Sequence, residues 1–300
     1  MSNYHNPVML QECIDALNIK PNGTYVDVTF GGGGHSREIM KHLGENGKLI
    51  AFDQDADAQR NKIDDKRFVF VDQNFRYLKN FCRLHGATKV DGILADLGVS
   101  SHQFDEAERG FSIRFDAELD MRMNQQSDLT AKQVVNTYSE AELHRIFGIY
   151  GEIQNAKSLA KTIVTGRLNG QLSTVADLKN TIAGLIPRGK EHKYLAQVFQ
   201  ALRIEVNQEL EVLKDFLQQA AEVLGTGGRL VVLSYHSLED RLVKNFIAKG
   251  KFSGEVEKDF YGNDQKPLEA VSRGAITATE EEIKENNRAR SAKLRIAVKK

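Results

Sequence analysis

The sequence predicts an α/β protein built on a doubly wound, mostly parallel sheet. Three observations support this prediction. A short run of β-forming residues leads into four consecutive glycines at residues 31–34, and a helical pattern follows directly. Two further apolar runs end in an acidic residue, at Asp53 and at Asp96. Helical stretches separate these runs, as the crossover connections of a parallel sheet require.

The opening unit of the sheet is the stretch of residues 24–36. Residues 24–28 favour a strand, and apolar residues recur at helical spacing after residue 36. The glycines between them permit a tight turn and a close approach of the backbone to a ligand. Free N–H groups at the start of the helix suit a negative or polar ligand group. A plain tight turn is the alternative explanation. Before this unit, residues 8–19 are amphipathic and predict a helix packed against the edge of the sheet.

The second strand is predicted over residues 49–52 and leads directly to Asp53. This residue lies 20 positions after Gly33. A carboxylate at that spacing can accept hydrogen bonds from both hydroxyls of a ribose. Asp53 as a cap of the helical segment that follows is the alternative, and the glycine turn upstream favours the ribose role.

The third and fourth strands add two more candidate site residues. The third is predicted over residues 68–71 and is followed by Phe75, whose ring can stack on an adenine or belong to the core. The fourth, within residues 90–96, ends at Asp96. Ligands of such sheets bind at the carboxyl ends of the strands. We therefore expect Asp27, Asp53 and Asp96 to meet at one edge of a crevice.

The pattern between residues 102 and 197 is helical and rich in charge, without a convincing strand. Because a sheet pattern resumes afterwards, we interpret residues 104–196 as an inserted α-helical domain. Residues 1–103 and 197–300 then form one discontinuous sheet domain. An extended crossover that covers the sheet is the alternative.

The last third of the chain returns to the sheet. A long helix is predicted over residues 199–224, ended by glycines, and a fifth strand over residues 230–234 places His236 at its carboxyl end. A histidine there can cap a helix or belong to the site. Residues 286–300 carry six basic residues and no acidic one. This segment fits a basic strand at the sheet edge, an arm that contacts phosphates, or both.

The composition is that of a soluble globular protein, with 41% hydrophobic and 27% charged residues among 300. No apolar run reaches transmembrane length and no signal peptide is recognisable, so we expect a cytoplasmic protein without a membrane partner. Cys13 and Cys82 are far apart and outside any CxxC motif, which argues against a disulfide framework. With 41 basic and 41 acidic residues, bulk charge does not favour nucleic-acid binding, although a local basic face is compatible with these numbers.

Motifs of several common chemistries are absent from the sequence. It contains no GxxxxGK[ST], no GxSxG and no metal-ligand spacing among its histidines, so we expect no metal site. Two ligands that contain a ribose remain, a nicotinamide dinucleotide and S-adenosylmethionine. The glycines are contiguous rather than spaced as GxGxxG. Asp27 would repel a pyrophosphate but could support the ammonium group of a methionine moiety. These residues favour methyl transfer.

The chain also closely resembles the MraW/RsmH family, bacterial methyltransferases that modify the N4 of a cytidine in small-subunit ribosomal RNA. The matching segments run nearly from end to end: HNPVML, DVTFGGGGHS, AFDQD, QNF, DGILADLGVSSHQFD, ERGFS, LDMRM, FQALRIEVNQEL, GGRLVVLSYHSLEDR and RARSAKLR. The combination of GILADLGVSS, LDMRM and HSLEDR is highly specific. The chain departs from the family pattern at residues 116–118, 192–196 and 286–288.

The resemblance implies a Rossmann-like S-adenosylmethionine-dependent methyltransferase sheet with an inserted α-helical substrate-recognition domain. It implies S-adenosyl-L-methionine as the cofactor. The cofactor-binding residues that it implies are Gly33, Gly34, His35, Asp53, Phe75, Asp96 and Gln103. Of these, His35 and Gln103 follow from the resemblance alone.

The implied reaction is direct in-line transfer of the methyl group to the exocyclic amine of a cytidine in the decoding region of 16S ribosomal RNA. The N4 lone pair is delocalised into the ring, and an acceptor for the amine hydrogens would localise it. Asp96 is the first candidate for this catalytic role, and His236 and Asp120 rank second. Candidates for contacts with the flipped base and with phosphates are Phe104, Phe111, Phe115, Arg109, Arg114 and Arg122.

The expected partner is small-subunit ribosomal RNA or a 30S particle, and a homodimer is left open. Two other classes of function stay open at this point. One is a nicotinamide-dependent oxidoreductase, which titration with each cofactor would distinguish. The other is a non-catalytic ribosome-assembly protein, which an assay of methyl incorporation would distinguish.

Overall fold

The computed structural model describes residues 7–300, except for the side chain of Ser101. The start of the HNPVML segment, including His5, lies outside the described residues. The chain forms two compact units. The first comprises the described residues up to Gly98 together with Leu210–Lys300, and the second is Val99–Glu209. The insertion predicted at residues 104–196 lies inside the second unit.

The first unit contains a seven-stranded sheet. Its strands are β1 (Thr24–Asp27), β2 (Lys48–Phe52), β3 (Phe68–Val71), β4 (Val90–Asp96), β5 (Leu224–Ser234), β6 (Leu268–Ala270) and β7 (Lys293–Lys299). Their order is β3-β2-β1-β4-β5-β7-β6. The first five are parallel, and β7 is antiparallel to both of its neighbours. The strand order reverses between β1 and β4, which confirms the doubly wound α/β sheet that the sequence predicts.

The described residues contain twelve α-helices. They are α1 (Leu10–Leu17), α2 (Gly34–His42), α3 (Leu78–Leu84), α4 (Ser101–Asp105), α5 (Ala131–Thr137), α6 (Glu140–Ile149), α7 (Ala156–Gly166), α8 (Val175–Ile182), α9 (Glu191–Asn207), α10 (Glu209–Val223), α11 (Ser237–Lys249) and α12 (Glu280–Glu285). Over residues 7–300, none of them combines the length and the apolar character that a bilayer crossing needs.

Both faces of the sheet are covered, because successive residues of its central strands enter different clusters. Tyr25 and Leu94 pack with residues of α1 and α2, whereas Val26 and Ile93 pack with residues of α3, α10 and α11. Burial on both faces explains why these strands read as continuous apolar runs. The position predicted for the first helix is wrong. Helix α1 lies on a face of the sheet against β4 and β5, not at its edge.

The single long helix predicted over residues 199–224 is two helices. Helix α9 ends at Asn207, and α10 begins at Glu209. Between them Gln208 has a left-handed backbone, with φ of 51° and ψ of 35°. A right-handed helix cannot continue through such a residue. Glutamine is a good helix former, so the sequence gives no sign of the break.

The glycines that follow α10 form the start of a strand rather than a turn before one. Strand β5 begins at Leu224, six residues before its predicted start at residue 230. Its register shifts, since Leu224 pairs with Val90 and Arg229 with Gly92. Gly227 has a φ of 79°, a conformation that favours glycine. The glycines therefore absorb the irregularity of this strand pair.

The basic tail forms β7, a strand inside the sheet, so its predicted place at the sheet edge is wrong. Strand β7 pairs with β5 on one side and with the short β6 on the other. Several of its cations contact carboxylates: Lys293 and Arg295 lie 3.3 and 2.6 Å from Asp240, and Lys300 lies 3.3 Å from Glu269. These ion pairs partly neutralise the positive charge of the tail within the sheet domain.

The second unit is helical, and side-chain caps mark where its helices begin. Each of four cap residues accepts a side-chain hydrogen bond from the backbone N–H three residues later, and the cap's own backbone N–H donates to the side chain of that later residue. The four caps are Ser100, Thr130, Ser139 and Thr174. Its core is continuous from Phe111 to Val206. Between residues 99 and 209 the structure contains no strand of the sheet.

Candidate active site

The first unit brings most of the predicted site residues together at the carboxyl ends of three neighbouring strands. The glycine turn after β1 lies between the end of β2 and the end of β4. On one side, the N–H of Gly31 donates to Asp53 Oδ2 at 2.7 Å. On the other side, His35 Nδ1 lies 3.8 Å from Asp96 Oδ2. The turn is thus flanked by one carboxylate on each side.

Two glycines of the turn are required for different reasons. Gly33 precedes α2 with a φ of 76°, and its N–H donates to Phe30 O at 2.7 Å. Gly34 has no such backbone constraint, but a Cβ there would lie 2.2 Å from Pro7 Cγ. Backbone conformation therefore explains the need for glycine at Gly33, and packing explains it at Gly34.

Replacing Gly34 by alanine is expected to lower the free energy of unfolding by about 1–3 kcal/mol. The proline ring is rigid and cannot rotate away, so the turn or the segment before α1 must shift. Chemical denaturation measures the effect. Gly274→Ala in the same unit is the control, because a Cβ there meets nothing within 4 Å. Equal stability of the two variants would contradict the steric argument.

Asp53 anchors the glycine turn and is not the cap of the following segment. Its Oδ2 accepts from Gly31, and its Oδ1 accepts from the N–H of Asp55 at 2.8 Å. The cap is Asp55, whose side chain accepts from the N–H of Asp57. Burial raises the pKa of Asp53 to about 7, against the opposing effect of the two backbone hydrogen bonds. A carboxylate has about four lone-pair sites, so two remain for ligand hydroxyls.

Phe75 follows β3, and its ring belongs in part to the core. It is half-buried, and its ring packs edge-on against Phe216, with 5.4 Å between ring centroids and 76° between planes. Next to it, Asn74 Nδ2 donates to Gln54 Oε1 at 2.7 Å. This bond joins the end of β3 to the residue after Asp53. The ring therefore follows a residue that is bonded to the neighbour of Asp53, and it is partly in the core and partly accessible.

Asp96 is held both through its side chain and through its backbone. Its Oδ1 accepts from the Tyr235 hydroxyl at 2.6 Å, and its backbone N–H donates to Thr29 Oγ1 at 2.7 Å. The side chain retains 24% of its accessible surface, so a substrate atom can reach it. Burial raises the pKa of Asp96, while His35 and Tyr235 act in the opposite direction.

The tautomer of His35 follows from its partner. His35 Nε2 lies 3.2 Å from the carbonyl oxygen of Val8. A carbonyl only accepts, so Nε2 is the nitrogen that donates in this contact. The imidazole is buried. It therefore holds the start of α2 against the segment before α1.

Asp27 is assigned to the turn itself rather than to a ligand. It is 1% exposed. Its Oδ2 accepts from Ser36 Oγ at 2.6 Å, and its Oδ1 accepts from the N–H of Thr29 at 3.0 Å. Because this carboxylate is enclosed, the support that the sequence suggested for an ammonium group is not its role. It instead links the end of β1 to the first turn of α2.

His236 is a helix cap, the structural alternative considered from the sequence. It precedes α11, and its Nδ1 accepts from the N–H of Glu239 at 3.5 Å, a long contact. The carboxylate of Glu239 in turn accepts from the N–H groups of Tyr235 and His236. Only 9% of the His236 side chain is exposed. This reciprocal capping gives His236 a structural role.

Gln103 and the other candidates from the middle of the chain belong to the second unit. Gln103 is buried and caps α4 through Ser100. Arg109 is also buried, and its Nη2 donates to the carbonyl oxygens of Arg122 and Met123, so its predicted contact with phosphate is wrong. The buried ring of Phe111 lies beside the Arg109 guanidinium, 5.8 Å from it, which excludes it as an exposed stacking platform.

Asp120 is neutralised within the same unit. Its two oxygens accept from Arg122 Nε at 2.8 Å and from Nη2 at 2.7 Å. Burial opposes ionisation of this carboxyl, but the bonds and charge of Arg122 outweigh it and hold its pKa below the usual range. It is therefore a poor proton acceptor. Arg114 and Phe115 are exposed and stay candidates for contacts with a nucleic acid.

The donor and acceptor groups of the first unit fit a nucleoside with a charged tail. The glycine turn leaves no room for side chains, Asp53 has spare acceptor capacity, and Phe75 offers a partly accessible ring. Asp96 adds an accessible acceptor at the next strand end. These features fit the binding of S-adenosylmethionine.

The whole chain is similar to known proteins. A family model described as the MraW methylase family matches residues 2–300. A relative from Christiangramia forsetii, named Ribosomal RNA small subunit methyltransferase H, is 60% identical over 296 residues, which cover 99% of this chain and 98% of the relative. Relatives of the same name from Flavobacterium johnsoniae and Bacteroides fragilis (strain YCH46) are 59% and 57% identical, with the same coverage.

Proposed function

Because the chain belongs to the MraW methylase family, we propose that it methylates the exocyclic N4 of a cytidine in the decoding region of 16S small-subunit ribosomal RNA. The cofactor is S-adenosylmethionine. The name of the curated relatives supports small-subunit ribosomal RNA as the substrate. The single observation that carries the choice of an amine acceptor is the partly exposed side chain of Asp96, whose Oδ2 lies 3.8 Å from His35 Nδ1 at the glycine turn.

Residues of the first unit would hold the cofactor along the strand ends. We assign the ribose hydroxyls to Asp53, the adenine to the accessible part of Phe75, and the methionine moiety to the turn at Gly33, Gly34 and His35. When bound, S-adenosylmethionine supplies an electrophilic methyl group on a sulfonium centre. The assignment is supported by the spare lone pairs of Asp53 and by the close packing at the two glycines.

Cofactor affinity is expected to depend on pH through Asp53. Ribose hydroxyls donate to the ionised carboxylate, so binding lowers a pKa that is about 7 in the free protein and releases a proton. The Kd should rise about tenfold for each pH unit below pH 7 and be constant above pH 7. Calorimetric titration between about pH 5.5 and 8 measures this dependence. Asp53→Asn should remove the slope, and an equal slope in both proteins would contradict the assignment.

The contribution of Asp96 to catalysis is to accept a hydrogen bond from the amine of cytosine. The amine lone pair is shared with the aromatic ring, which makes it a weak nucleophile. A negatively charged acceptor draws an N–H toward itself and favours a lone pair directed out of the ring plane. Preorganised electrostatics of this kind act mainly in the transition state. Asp96 is suited to this role because its Oδ1 is already occupied while its side chain stays partly exposed.

We further propose that the helical unit recognises the RNA. A cytidine must leave its stack to reach a buried site, and splayed bases are commonly bound by aromatic and arginine side chains. In this unit Arg114 and Phe115 are exposed and adjacent in sequence. The family resemblance implies that Gln103 binds the cofactor, and this role stays a proposal. A cytoplasmic location and a homodimer stay proposals as well.

The test is methyl transfer from tritiated S-adenosylmethionine to small subunits that lack the modification. We expect label in 16S ribosomal RNA, and mass spectrometry of the nucleosides should identify N4-methylcytidine. Free 16S RNA and mature subunits are tested in parallel, because each presents the base differently. Absence of label in all three substrates would favour a non-catalytic assembly protein. Binding of NADH without binding of S-adenosylmethionine would favour an oxidoreductase.

A further inference from the structure

Tyr235 is the side chain that contacts Asp96 most closely among the described residues. It directly follows β5, whose neighbour β4 ends at Asp96. The phenol donates to Asp96 Oδ1 at 2.6 Å, within the short range of hydrogen bonds to a charged acceptor. The backbone of Tyr235 is held as well, because its N–H donates to Glu239 Oε2 at 3.0 Å. Both ends of the contact are therefore fixed by the first unit.

We infer that Tyr235 is a positioning residue for methyl transfer, because its hydroxyl occupies Oδ1 of Asp96 and leaves Oδ2 as the acceptor for the amine of the substrate. This inference rests on the proposed function. A carboxylate with two equivalent free oxygens can rotate and accept from either. The tyrosine hydrogen bond removes that freedom and selects the oxygen that lies 3.8 Å from His35 Nδ1.

The geometry on the other side of Asp96 supports this selection. His35 Nε2 lies 3.2 Å from the carbonyl oxygen of Val8, and its Nδ1 lies 3.8 Å from Asp96 Oδ2, which is beyond hydrogen-bond distance. Oδ1 thus receives a hydrogen bond from Tyr235 at 2.6 Å, whereas the imidazole is too far from Oδ2 to donate one. An amine hydrogen can satisfy the second oxygen.

The charged and titratable groups around Asp96 come from several elements. Burial, Asp27 on β1 and Glu239 on α11 disfavour the ionised form of Asp96, whereas His35 on α2 and Tyr235 favour it. The pKa of Tyr235 is raised well above its ordinary value by burial and by Asp96, so the phenol stays a donor at neutral pH. On α1, burial and Asp96 raise the pKa of the Cys13 thiol, which keeps it uncharged.

Tyr235→Phe tests the inference, since it removes the hydroxyl and keeps the ring. We expect kcat to fall about tenfold with the KM for the cofactor nearly unchanged. The acidic limb of the kcat–pH profile should move up by about one to two pH units, because the lost hydrogen bond favoured the ionised Asp96. Tyr194→Phe is the matched control, since that phenol donates to Asn155 Oδ1 at 3.1 Å in the other unit. It should shift neither quantity.

A second measurement separates this inference from the proposed function. Carbon-13 NMR of labelled aspartates follows the Asp96 carboxyl in the protein without cofactor, and Asp96→Asn identifies its signal. The titration midpoint should rise in Tyr235→Phe by the same one to two pH units. An unchanged midpoint, or an unchanged acidic limb in an active enzyme, would overturn the positioning role. Absence of methyl transfer by the unaltered protein would overturn the proposed function, while the NMR titration would still decide whether Tyr235 holds Asp96.

Discussion

Asp96→Ala is expected to lower kcat by about 10²–10⁴-fold while the Kd for S-adenosylmethionine changes less than tenfold. The carboxylate is the accessible acceptor at the end of β4, and its proposed bond to the substrate amine strengthens as the methyl group is transferred. In the proposed cofactor site, binding depends mainly on the glycine turn and on Asp53, which this substitution leaves in place. Single-turnover methyl transfer gives the rate, and calorimetric titration gives the Kd.

Asp96→Asn separates charge from shape in the same experiment. The amide oxygen can still accept from Tyr235, whose hydroxyl lies 2.6 Å from Oδ1 in the unaltered protein. It cannot supply a negative charge to the substrate amine. We therefore expect asparagine to be nearly as inactive as alanine. Loss of cofactor binding in parallel with activity, or nearly full activity in either variant, would refute the proposed catalytic role.

Asp53→Ala is expected to weaken the binding of S-adenosylmethionine by about 10²–10⁴-fold. Two hydrogen bonds from ribose hydroxyls to a carboxylate are lost, each with an expected contribution of about 1.5–3 kcal/mol. The turn also loses its attachment, because Asp53 accepts from Gly31 at 2.7 Å. Calorimetric titration measures the Kd, and thermal unfolding shows how far the turn itself is destabilised.

Asp91→Ala is the matched control for Asp53→Ala. Asp91 also fixes a backbone N–H, that of Thr24 at 3.0 Å, and it contacts Lys20 Nζ at 3.3 Å. It lies near the amino end of β4, away from the carboxyl ends where ligands bind. The control should lose stability and keep its cofactor affinity. Equal, mild effects of the two substitutions on affinity would exclude Asp53 from the ribose site.

The sheet was predictable because its strands are local and strongly apolar. Strand β3 coincides with the predicted residues 68–71, and β4 ends at Asp96 as expected. Errors arose where one backbone dihedral or one long-range pairing decides the structure. The left-handed Gln208 divides a helix that its composition predicts as continuous. The short β6 went unrecognised because it exists only through its pairing with β7.

The candidate site was predictable as far as strand ends define it. Asp53 and Asp96 follow from the rule that parallel strands present ligands at their carboxyl ends. The sequence suggested a ligand role for Asp27, because it does not reveal the contacts with Ser36 and Thr29 that enclose the carboxylate. Tyr235 was missed for the same reason, since its partner Asp96 is 139 residues away. The available signal was that it directly follows a strand, as Asp53 does.

In the second unit, sequence reasoning failed where the chain is irregular. Residues 106–129 have no helical or strand period from which burial can be deduced. Arg109 and Phe111 therefore resembled surface residues, although both are buried. The exposed Arg114 and Phe115 have the same composition and the opposite environment. Only the folded contacts distinguish the two pairs.

The antiparallel partner of β5 has a consequence for the order in which the protein is made. Ser234 pairs with Lys293, which is 59 residues further along the chain. At about 5–20 residues per second, a ribosome needs roughly 3–12 s to synthesise that interval. During this time β5 presents one unpaired edge, which is a template for association with another nascent chain. A chaperone that covers strand edges would therefore have its largest effect on this protein during these few seconds.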